Sequence, residues 1–419
     1  MTHAAREATL RIALATAIAL ASVACIVVSI RLSLADDLGR RPDIASTARA
    51  ARLAPASARY RLRQAALIER RGGPGSDAAV GRLLAEATSV EPLLAEPWMQ
   101  RGLYEEIHGQ TQQAEQMLRR AAYNDRTFKP SWTLANFYAR HAEIDQFWVY
   151  ARHCLELTEP HAYAPEPVFD LCWRVSDDGT TILKRAVPPV PWVRAAYVTY
   201  LSSAKKPKLA LAAWRTLDGA GMAAEDGPGL ALCELLIAEG DAAGAVEVWN
   251  GYAAGRGRSG LDPRQGRSLT DGALEREPSG RGFDWVLPRT HGINNRYFED
   301  ERQVRIELDG EQPESVELLT QTIPVTPGAR YQLRFEYQTA DIAPGSGLAW
   351  AVLDALSNVV QGAPCASLAS AEPAGGVCPF QAGPGQGLLR LALRYSRTSG
   401  TLRARGSIRI SRLQLERMP

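Results

Sequence analysis

The distribution of apolar residues changes twice along the chain and predicts three kinds of element in succession. Residues 12–30 form an uncharged, mostly apolar run. Residues 45–255 begin with a composition rich in Ala, Leu and Arg, which favours helices, and carry tryptophans at a helical-repeat spacing. Beyond residue 269, apolar and polar residues alternate with a period of two, the pattern of strands with one buried face. The sequence therefore predicts a multidomain α + β chain, with a single transmembrane helix, an α-solenoid and an antiparallel β-sandwich.

The apolar run at 12–30 is long enough to cross a membrane. Its 19 residues lie between Arg11 and Arg31. A helix rises ~1.5 Å per residue, so this run spans ~30 Å, the hydrocarbon thickness of a bilayer. Because the apolar core of a signal peptide has only ~7–15 residues, we favour a retained signal anchor that covers residues 1–41.

Two other interpretations of the N-terminal segment stay open. Ser33-Leu34-Ala35 is an acceptable cleavage site for a signal peptide. Cys25 would carry the lipid of a lipoprotein, but Ser22 stands where a lipobox prefers Leu, and the residues after Cys25 are too apolar for a mature terminus. Arginines flank both ends of the run, so the positive-inside rule does not give its orientation.

A 34-residue spacing indicates tetratricopeptide-like repeats in the helical middle, residues 45–255. Trp98 and Trp132 are 34 residues apart, which is the length of one such repeat. When Trp98 is taken as the fourth position, the expected small and large packing residues follow: Gly102, Ala114, Leu118 and Ala121. Small side chains there let the two helices of a repeat approach closely. We therefore assign these residues and both tryptophans to repeat packing, and expect the repeats to bind a protein partner.

Residues 256–268 are predicted to be a linker, and residues 269–419 a β domain. The stretch 255–260 is rich in Gly, Arg and Ser, which is typical of a connection between domains. Alternating apolar and polar residues follow at 304–308, 331–337 and 389–395. Such strands bury one face and expose the other, so we expect antiparallel sheets packed as a sandwich.

The order of motifs in the C-terminal region resembles the jelly-roll, galactose-binding-like sandwiches of carbohydrate-binding modules. The motifs that carry the resemblance are Thr270–Glu275, Gly282–Trp285, Val304–Gly310, Gln321–Gly328, Tyr331–Leu333 and Gly400–Leu402. With a membrane helix and repeats before it, the chain resembles bacterial membrane-anchored tetratricopeptide repeat proteins with a C-terminal jelly roll. One departure is that Asp-Gly-Ala-Leu-Glu at 271–275 replaces the Asn-Gly-Gly-Phe-Glu-like start of such domains.

Trp285 and Trp350 are the aromatic candidates for stacking on a sugar ring in this domain. Trp285 follows Gly-Phe-Asp, and Trp350 shares a strand face with Leu348 and Val352. Both positions also fit packing inside the sandwich, and this interpretation is favoured. The resemblance by itself does not imply sugar binding, because such sandwiches also serve as structural modules.

The pairing of the cysteines indicates whether the protein lies in an oxidising or a reducing compartment. Cys365 and Cys378 flank a loop rich in Ala, Ser, Gly and Pro, and a disulfide between them would restrain it. Such a bridge would place this domain in an oxidising space such as the periplasm. Cys154 and Cys172 either bridge neighbouring helices or are buried as small side chains.

The sequence contains no motif of a catalytic, metal or cofactor site. Phosphate-binding loops, nucleophile elbows, zinc-protease helices and dinucleotide fingerprints are all missing, and no histidine pair has metal-site spacing. The net charge of +2 gives no field that would favour nucleic acid. We therefore expect a non-enzymatic scaffold in the bacterial inner membrane, with periplasmic domains and a role in exopolysaccharide or surface-polymer assembly. The alternative is a glycan-binding protein that acts through its β-sandwich.

Overall fold

The computed structural model describes residues 3–159, 163–223, 227–256, 258 and 260–419, without the side chains of 3–10 and 223. The described chain forms two compact units, residues 1–186 and residues 187–419. Helices followed by two antiparallel sheets confirm the predicted fold class. The predicted boundaries at 41, 255 and 268 remain predictions, and residues 257 and 259 of the predicted linker lie outside the described residues.

The first unit is built from helices, most of which are joined in pairs by short loops. Here α3 and α4, α5 and α6, and α7 and α8 form helical hairpins, the repeat structure that the 34-residue spacing predicts. The bounds are α1 His3–Arg40, α2 Ile44–Leu53, α3 Ala58–Arg71, α4 Ser76–Val90, α5 Ala95–Ile107, α6 Thr111–Asn124, α7 Phe128–Arg140, α8 Ile144–Glu156, α9 Glu166–Val175 and α10 Gly179–Arg185.

The predicted apolar run lies within α1, a helix long and apolar enough to cross a membrane, a test that a signal sequence also passes. The helix does not end with the apolar run but continues to Arg40. In its last turns Ala35 and Leu38 are buried against side chains of α2 and α3, chiefly Ala50 and Tyr60. The end of α1 is therefore part of the folded unit.

Polar contacts fix the same junction. The Asp36 carboxylate accepts hydrogen bonds from Arg59, at the start of α3, and from Arg40 at 2.8 Å. Arg31 donates to the backbone carbonyl of Leu53 at the end of α2, at 3.1 Å. The guanidinium group of Arg59 also lies over the ring of Tyr60. Residues on both sides of the possible signal-peptide cleavage site therefore hold α1 against α2 and α3.

The predicted small residues lie where α5 and α6 meet. Ala114, Leu118 and Ala121 on α6 are at most 1 % exposed, and Gly102 on α5 is buried opposite them. A β-carbon at Gly102 would lie 2.7 Å from Cγ of Leu118 and 3.2 Å from the backbone oxygen of Ala114. The close packing of these two helices therefore requires glycine at residue 102.

Trp98 and Trp132 are only half-buried, in contrast to the core packing that the repeat pattern favours. The indole Nε1 of Trp98 donates to the carbonyl of Pro92 in the preceding loop, at 2.9 Å. Trp132 stacks beside Phe128, one turn earlier on α7, with ring centroids 5.9 Å apart. Both rings therefore support the start of their own hairpin and leave part of their surface exposed.

The second unit contains both helices and the β-sandwich. The helices are α11 Pro191–Ser203, α12 Pro207–Trp214, α13 Gly219–Ala223, α14 Gly229–Ala238 and α15 Ala242–Ala254, followed by a 3-10 turn at Pro263–Gln265. The strands are β1 Ile293–Phe298, β2 Gln303–Asp309, β3 Ser315–Pro324, β4 Arg330–Ala340, β5 Leu348–Asp354, β6 Ala374–Gln381, β7 Leu388–Ser396 and β8 Arg405–Met418.

The described strands form two antiparallel sheets with the core between them. One sheet has the order β1-β2-β8-β4-β6, and the other has the order β3-β7-β5. One cluster of buried side chains draws on both, including Ile306 and Ile408 from the first sheet and Leu391 and Trp350 from the second. Alternate residues of β2, β4 and β7 supply this core, as the period-two pattern predicts. They are Val304, Ile306, Leu308, Tyr331, Leu333, Phe335, Leu389, Leu391, Leu393 and Tyr395.

The helices at the end of the predicted repeat region pack against the sandwich within this unit. Trp249 on α15 meets the ring of Phe283 edge to face, with centroids 5.9 Å apart. Arg281 donates two hydrogen bonds, at 2.8 and 2.9 Å, to the carboxylate of Glu234 on α14. The side chain of Asn250 bonds both backbone groups of Leu261. The predicted linker is therefore anchored at Leu261, where it meets α15.

The Asp-Gly-Ala-Leu-Glu segment fastens the start of the sandwich to its last strand. The carbonyl of Gly272 accepts a hydrogen bond from the backbone N–H of Leu413, at 2.7 Å. The Asp271 carboxylate accepts from the backbone N–H of Glu275 at 2.9 Å. A side chain at residue 272 would collide with the backbone of Leu413. The segment therefore has a structural role in this chain.

We predict that Gly102→Ala destabilises the protein although alanine is the better helix former. Overpacking against Leu118 and Ala114 costs about 1–3 kcal/mol, which outweighs the gain of about 1 kcal/mol in helix propensity. The free energy of unfolding, measured by urea denaturation of the full chain in detergent, should fall by about 1 kcal/mol, the difference of these terms.

The matched control is Gly219→Ala, at the start of α13. An added β-carbon there has no described atom within 4 Å. Because propensity alone then acts, this variant should be neutral or up to about 1 kcal/mol more stable. Equal effects of the two variants would contradict the close approach at Gly102.

Candidate functional site

A groove on the first repeats is the clearest candidate binding site of the first unit. It lies between α3, α4 and α5 and encloses about 540 Å³. We refer to the apolar residues of its lining as the floor and to the charged and polar ones as the rim. The floor consists of Leu62, Val80, Leu84, Leu103 and Ile107. Its rim carries charged or polar groups, namely Arg59, Glu69, Asp77, Glu96 and His108. This arrangement suits an amphipathic segment of another protein, because apolar side chains can enter the floor and polar groups can meet the rim.

The apolar floor is open at the end of α5. Val80 and Leu84 are buried, but Leu103 is half-buried and Ile107 is 78 % exposed. Covering an apolar side chain of this size contributes about 1.5–3 kcal/mol. Ile107 therefore offers binding energy that the folding of this unit leaves unused.

Most of the rim charges already have a partner inside the first unit. Arg59 pairs with Asp36, and the Glu96 carboxylate accepts from Lys129 of α7 at 2.7 Å. Among the described residues, no ion pair involves Glu69, which is exposed on α3. Glu69 is therefore the carboxylate of the rim that is free to meet a basic group of a partner.

His108 links α5 to α4 beside the open end of the groove. Its Nδ1 donates to the carbonyl of Tyr104 at 2.7 Å, and its Nε2 faces the Asp77 carboxylate at 2.9 Å. The hydrogen bond to Tyr104, together with the Asp77 carboxylate, raises the pKa of His108 above its ordinary value. The link between the two helices is therefore stronger when His108 is protonated.

Sequence reasoning identified the helices of this groove but not its residues. The repeat pattern names positions that pack helix against helix, and Leu103 and Ile107 are apolar residues outside that set. Their signal in the sequence is an apolar residue next to Gly102 and another four residues later, on the same side of α5. Leu103 and Ile107 are not needed for the packing of α5 against α6, which Gly102 provides. Apolar residues of this kind indicate a binding surface.

Trp285 and Trp350 are both 0 % exposed, which excludes stacking on a sugar ring in this structure. Their rings meet each other inside the sandwich, with centroids 6.2 Å apart. Phe335 also packs against Trp350, with ring centroids 5.7 Å apart, and the Nε1 of Trp285 donates to the carbonyl of Asp271. The glycan-stacking role considered for them is therefore corrected, because no ring face is accessible; both belong to the core.

Cys365 and Cys378 form a disulfide, with Cα atoms 5.4 Å apart. The bridge joins the loop after β5 to β6, where Cys378 is fully buried. Cys154, Cys172 and Cys233 are buried free thiols, so the alternative bridge between Cys154 and Cys172 is not formed. Among the described residues no group of three or more His, Cys, Asp or Glu side chains could hold a metal ion.

Comparison with known proteins gives structural matches only. No family model matches the chain, and no curated protein matches it. The TPR protein YrrB, whose structure shows an unusual peptide-binding site, matches with 10% identity over 51% of this chain and 94% of its own, at a TM-score of 0.26. MamA protein matches with 11% identity over 45% and 89%, at 0.27.

A structure reported under "CBM4 structure and function" matches with 12% identity over 36% of this chain and 100% of its own, at a TM-score of 0.28. The solved structures similar to this chain thus include tetratricopeptide proteins and a CBM4 jelly roll. These are the two kinds of fold that the sequence motifs resemble.

We predict that His108 stabilises the first unit more at low pH than at high pH. The pKa of His108 is raised in the folded state, so its contribution is complete below the ordinary histidine pKa and is lost as the pH rises through the folded value. The difference in unfolding free energy between the natural chain and His108→Gln should therefore shrink as the pH rises from about 5.5 to about 8.5. Urea denaturation at a series of pH values measures it.

The control for this prediction is the same substitution in an Asp77→Asn background. Removal of the carboxylate takes away one of the causes of the raised pKa. The pH dependence of the His108→Gln effect should then become weaker. A difference that grows with pH in the natural chain would show that the sign of the shift is wrong.

Proposed function

We propose that this protein is a non-enzymatic, membrane-anchored scaffold of the cell envelope, whose repeat groove binds a segment of a partner protein. The observation that carries the proposal is the open apolar floor of the groove, with Ile107 78 % exposed above buried Val80 and Leu84. The groove combines this floor with Glu69 as a free carboxylate. The partner segment therefore presents an apolar side chain to Leu103 and Ile107 and a basic side chain to Glu69.

The packing of α1 supports a retained anchor. Cleavage after Ala35 would remove a residue that is 0 % exposed and would separate Arg31 from its bond to Leu53. A signal peptide that is removed has no need for such contacts with the mature domain. The apolar run and the repeat unit therefore act as one element, which holds the groove at the membrane.

The disulfide supports an oxidising compartment for the soluble parts. Structural disulfides persist in the periplasm and outside cells, and are rare in the cytosol. The residues after α1 then lie on the periplasmic side of a bacterial inner membrane. From the resemblance noted in the sequence, we propose that the partner belongs to exopolysaccharide or surface-polymer assembly. The alternative of glycan stacking on Trp285 and Trp350 loses its basis, because both rings are buried.

Site-specific photo-crosslinking tests the groove. A benzoylphenylalanine in place of Ile107 in the full chain, illuminated in detergent-solubilised native membranes, should give adducts of discrete mass. The control carries the same group at Val149 on α8, which is 59 % exposed and outside the groove lining. Deletion of residues 45–255 is a poorer control, because it would also remove helices that belong to the second unit.

Charge reversal at Glu69 should reduce the yield of these adducts. Loss of a hydrogen bond to a charged group costs about 1.5–3 kcal/mol, so Glu69→Lys should weaken capture at residue 107 about tenfold. Equal adducts at 107 and 149, or adducts at 107 that do not respond to Glu69→Lys, would refute the proposed groove.

We predict that the protein from native membranes contains Cys365 and Cys378 as a disulfide, with the other soluble-part cysteines unreactive. Burial raises the pKa of Cys172 to about 12 and also raises the pKa values of Cys154 and Cys233. A maleimide should therefore label these thiols only after unfolding. Mass spectrometry of peptides alkylated without reductant gives the result, and free Cys365 and Cys378 would refute the oxidising compartment.

We also predict that the disulfide between Cys365 and Cys378 raises the free energy of unfolding. In the chain-entropy account a disulfide that closes a loop of this size contributes roughly 3 kcal/mol. The double variant Cys365→Ser, Cys378→Ser should lose about 2–3 kcal/mol of unfolding free energy. The natural chain in excess reductant should unfold like the double variant, and a double variant as stable as the oxidised natural chain would contradict the prediction.

A further inference from the structure

The register of the five-stranded sheet aligns arginines across neighbouring strands. Arg296 of β1 pairs with Arg305 of β2, and Arg305 pairs with Arg409 of β8. All of them alternate with core residues such as Ile306 and Ile408, so they lie on the outer face of the sheet. We refer to Arg296, Arg305 and Arg409 as the arginine row.

This alignment is unfavourable for the fold itself. Like charges directly opposite on neighbouring strands destabilise a sheet. Elsewhere on the same sheet, charges of opposite sign meet between β4 and β8, where Arg334 bonds Glu416 at 3.1 Å and Arg412 bonds Glu336 at 2.8 Å. The arginine row therefore departs from the charge pairing that stabilises the neighbouring strands.

The charge of the row is only partly balanced. Arg305 contacts Glu307 at 2.9 Å, whereas no carboxylate of the described residues pairs with Arg296 or Arg409. The Nε of Arg305 is shielded and has no hydrogen-bond partner in the described chain. Guanidinium groups present several donors in a plane and bind carboxylates in pairs of hydrogen bonds. The row is therefore suited to an anion that carries carboxylates.

The surface around the row is concave and polar. A depression of about 150 Å³ holds Arg296 and Arg305 beside Asn294 and Glu307. An adjoining cleft of about 660 Å³ shares Asn294, Arg305 and Glu307 with it and is also lined by Arg405 and by the carboxylates Asp309 and Asp341, so the part of the surface that suits an anion is the side with Arg296 and Arg305. Amide groups flank the arginines, with Gln338 directly opposite Arg409 on β4. Neighbouring strands are ~4.8 Å apart, which is about the length of one sugar ring. A polymer of sugars that lies across the strands therefore meets one guanidinium group of the row for each sugar.

We infer that this outer face binds an anionic polysaccharide whose sugars carry carboxylates, laid across β1, β2 and β8. Guanidinium groups bind the carboxylates. The amide nitrogens of Asn294 and Gln338 already donate to Glu307 and to the carbonyl of Ala371, so their amide oxygens are the atoms that suit sugar hydroxyls. A nucleic acid fits less well, because its bases need exposed aromatic faces for stacking. Among the described residues, Phe298 supplies an aromatic ring on this face. It is half-buried, and the guanidinium group of Arg296 lies 6.0 Å from its centroid. This binding function does not depend on the proposed groove in the repeats.

Binding of the full chain in detergent micelles to polygalacturonate tests the inference by titration calorimetry. Polygalacturonate should bind and neutral dextran should not. Affinity should fall as salt is raised from about 50 mM to about 500 mM, because the interaction is between exposed charges. Absence of polygalacturonate binding at the lower salt concentration would overturn the inference, as would equal binding of dextran.

The decisive comparison is Arg409→Gln against Arg330→Gln. Both arginines are exposed on strands of this sheet and lack an ionic partner among the described residues, but Arg330 lies at the far end of β4. Arg409→Gln should weaken binding about tenfold, and the double variant Arg296→Gln, Arg409→Gln more strongly. Arg330→Gln should leave the affinity within about twofold of the natural chain, since it removes charge without touching the row.

Further readouts separate binding from folding and from general attraction to polyanions. Without ligand, Arg409→Gln should unfold at the same temperature as the natural chain or higher, because it removes a like-charge neighbour. Equal weakening by Arg409→Gln and Arg330→Gln would show unspecific attraction and overturn the inference. Tighter binding of poly-glutamate, of an oligothymidylate of equal charge or of anionic lipid vesicles would also overturn it.

Discussion

The contact between the end of α1 and the first helical hairpin is the constraint on which the proposed function depends. Ala35 and Leu38 are buried against Tyr60 and the side chains of α2, and Asp36 binds Arg59 at the start of α3. If a transmembrane helix were followed by a flexible linker, the repeats would be free to move relative to the membrane. Here the helical backbone of α1 continues into the fold, so an anchor in α1, as proposed, would hold the groove on α3 to α5 close to the membrane.

Much of this architecture could be predicted from the sequence, because its signals are periodic. The 34-residue spacing placed Gly102, Ala114, Leu118 and Ala121 at the meeting of α5 and α6, where the structure has them buried. Alternation of apolar residues predicted the strands. A periodic pattern gives equivalent positions, however, and not the amount of surface that each position exposes. Trp98 and Trp132 occupy the same packing position of the repeat, but both remain half-buried and not fully buried as the pattern predicts.

The candidate sites were harder to predict, since they depend on residues that the periodic pattern does not assign. Tryptophans are natural candidates for sugar binding, but Trp285 and Trp350 fill the space between the two sheets. The arginine row could not be predicted, because Arg296, Arg305 and Arg409 become neighbours only through the pairing of β1, β2 and β8. Register between strands that are distant in sequence is a property of the fold and leaves no local signal.

The cost of the arginine row also explains where the sandwich can carry a binding surface. Like-charged cross-strand pairs cost a few tenths to about 1 kcal/mol each, whereas burial of one large apolar side chain contributes about 1.5–3 kcal/mol. The core contains Trp285, Trp350, Phe335 and Tyr331, all at most 3 % exposed. Because inner and outer residues alternate on the same strands, this core stabilises the strands that hold the arginines. The outer face can therefore keep an arrangement that weakens the fold slightly, and we expect substitutions there to change the inferred binding while the inner face preserves the structure.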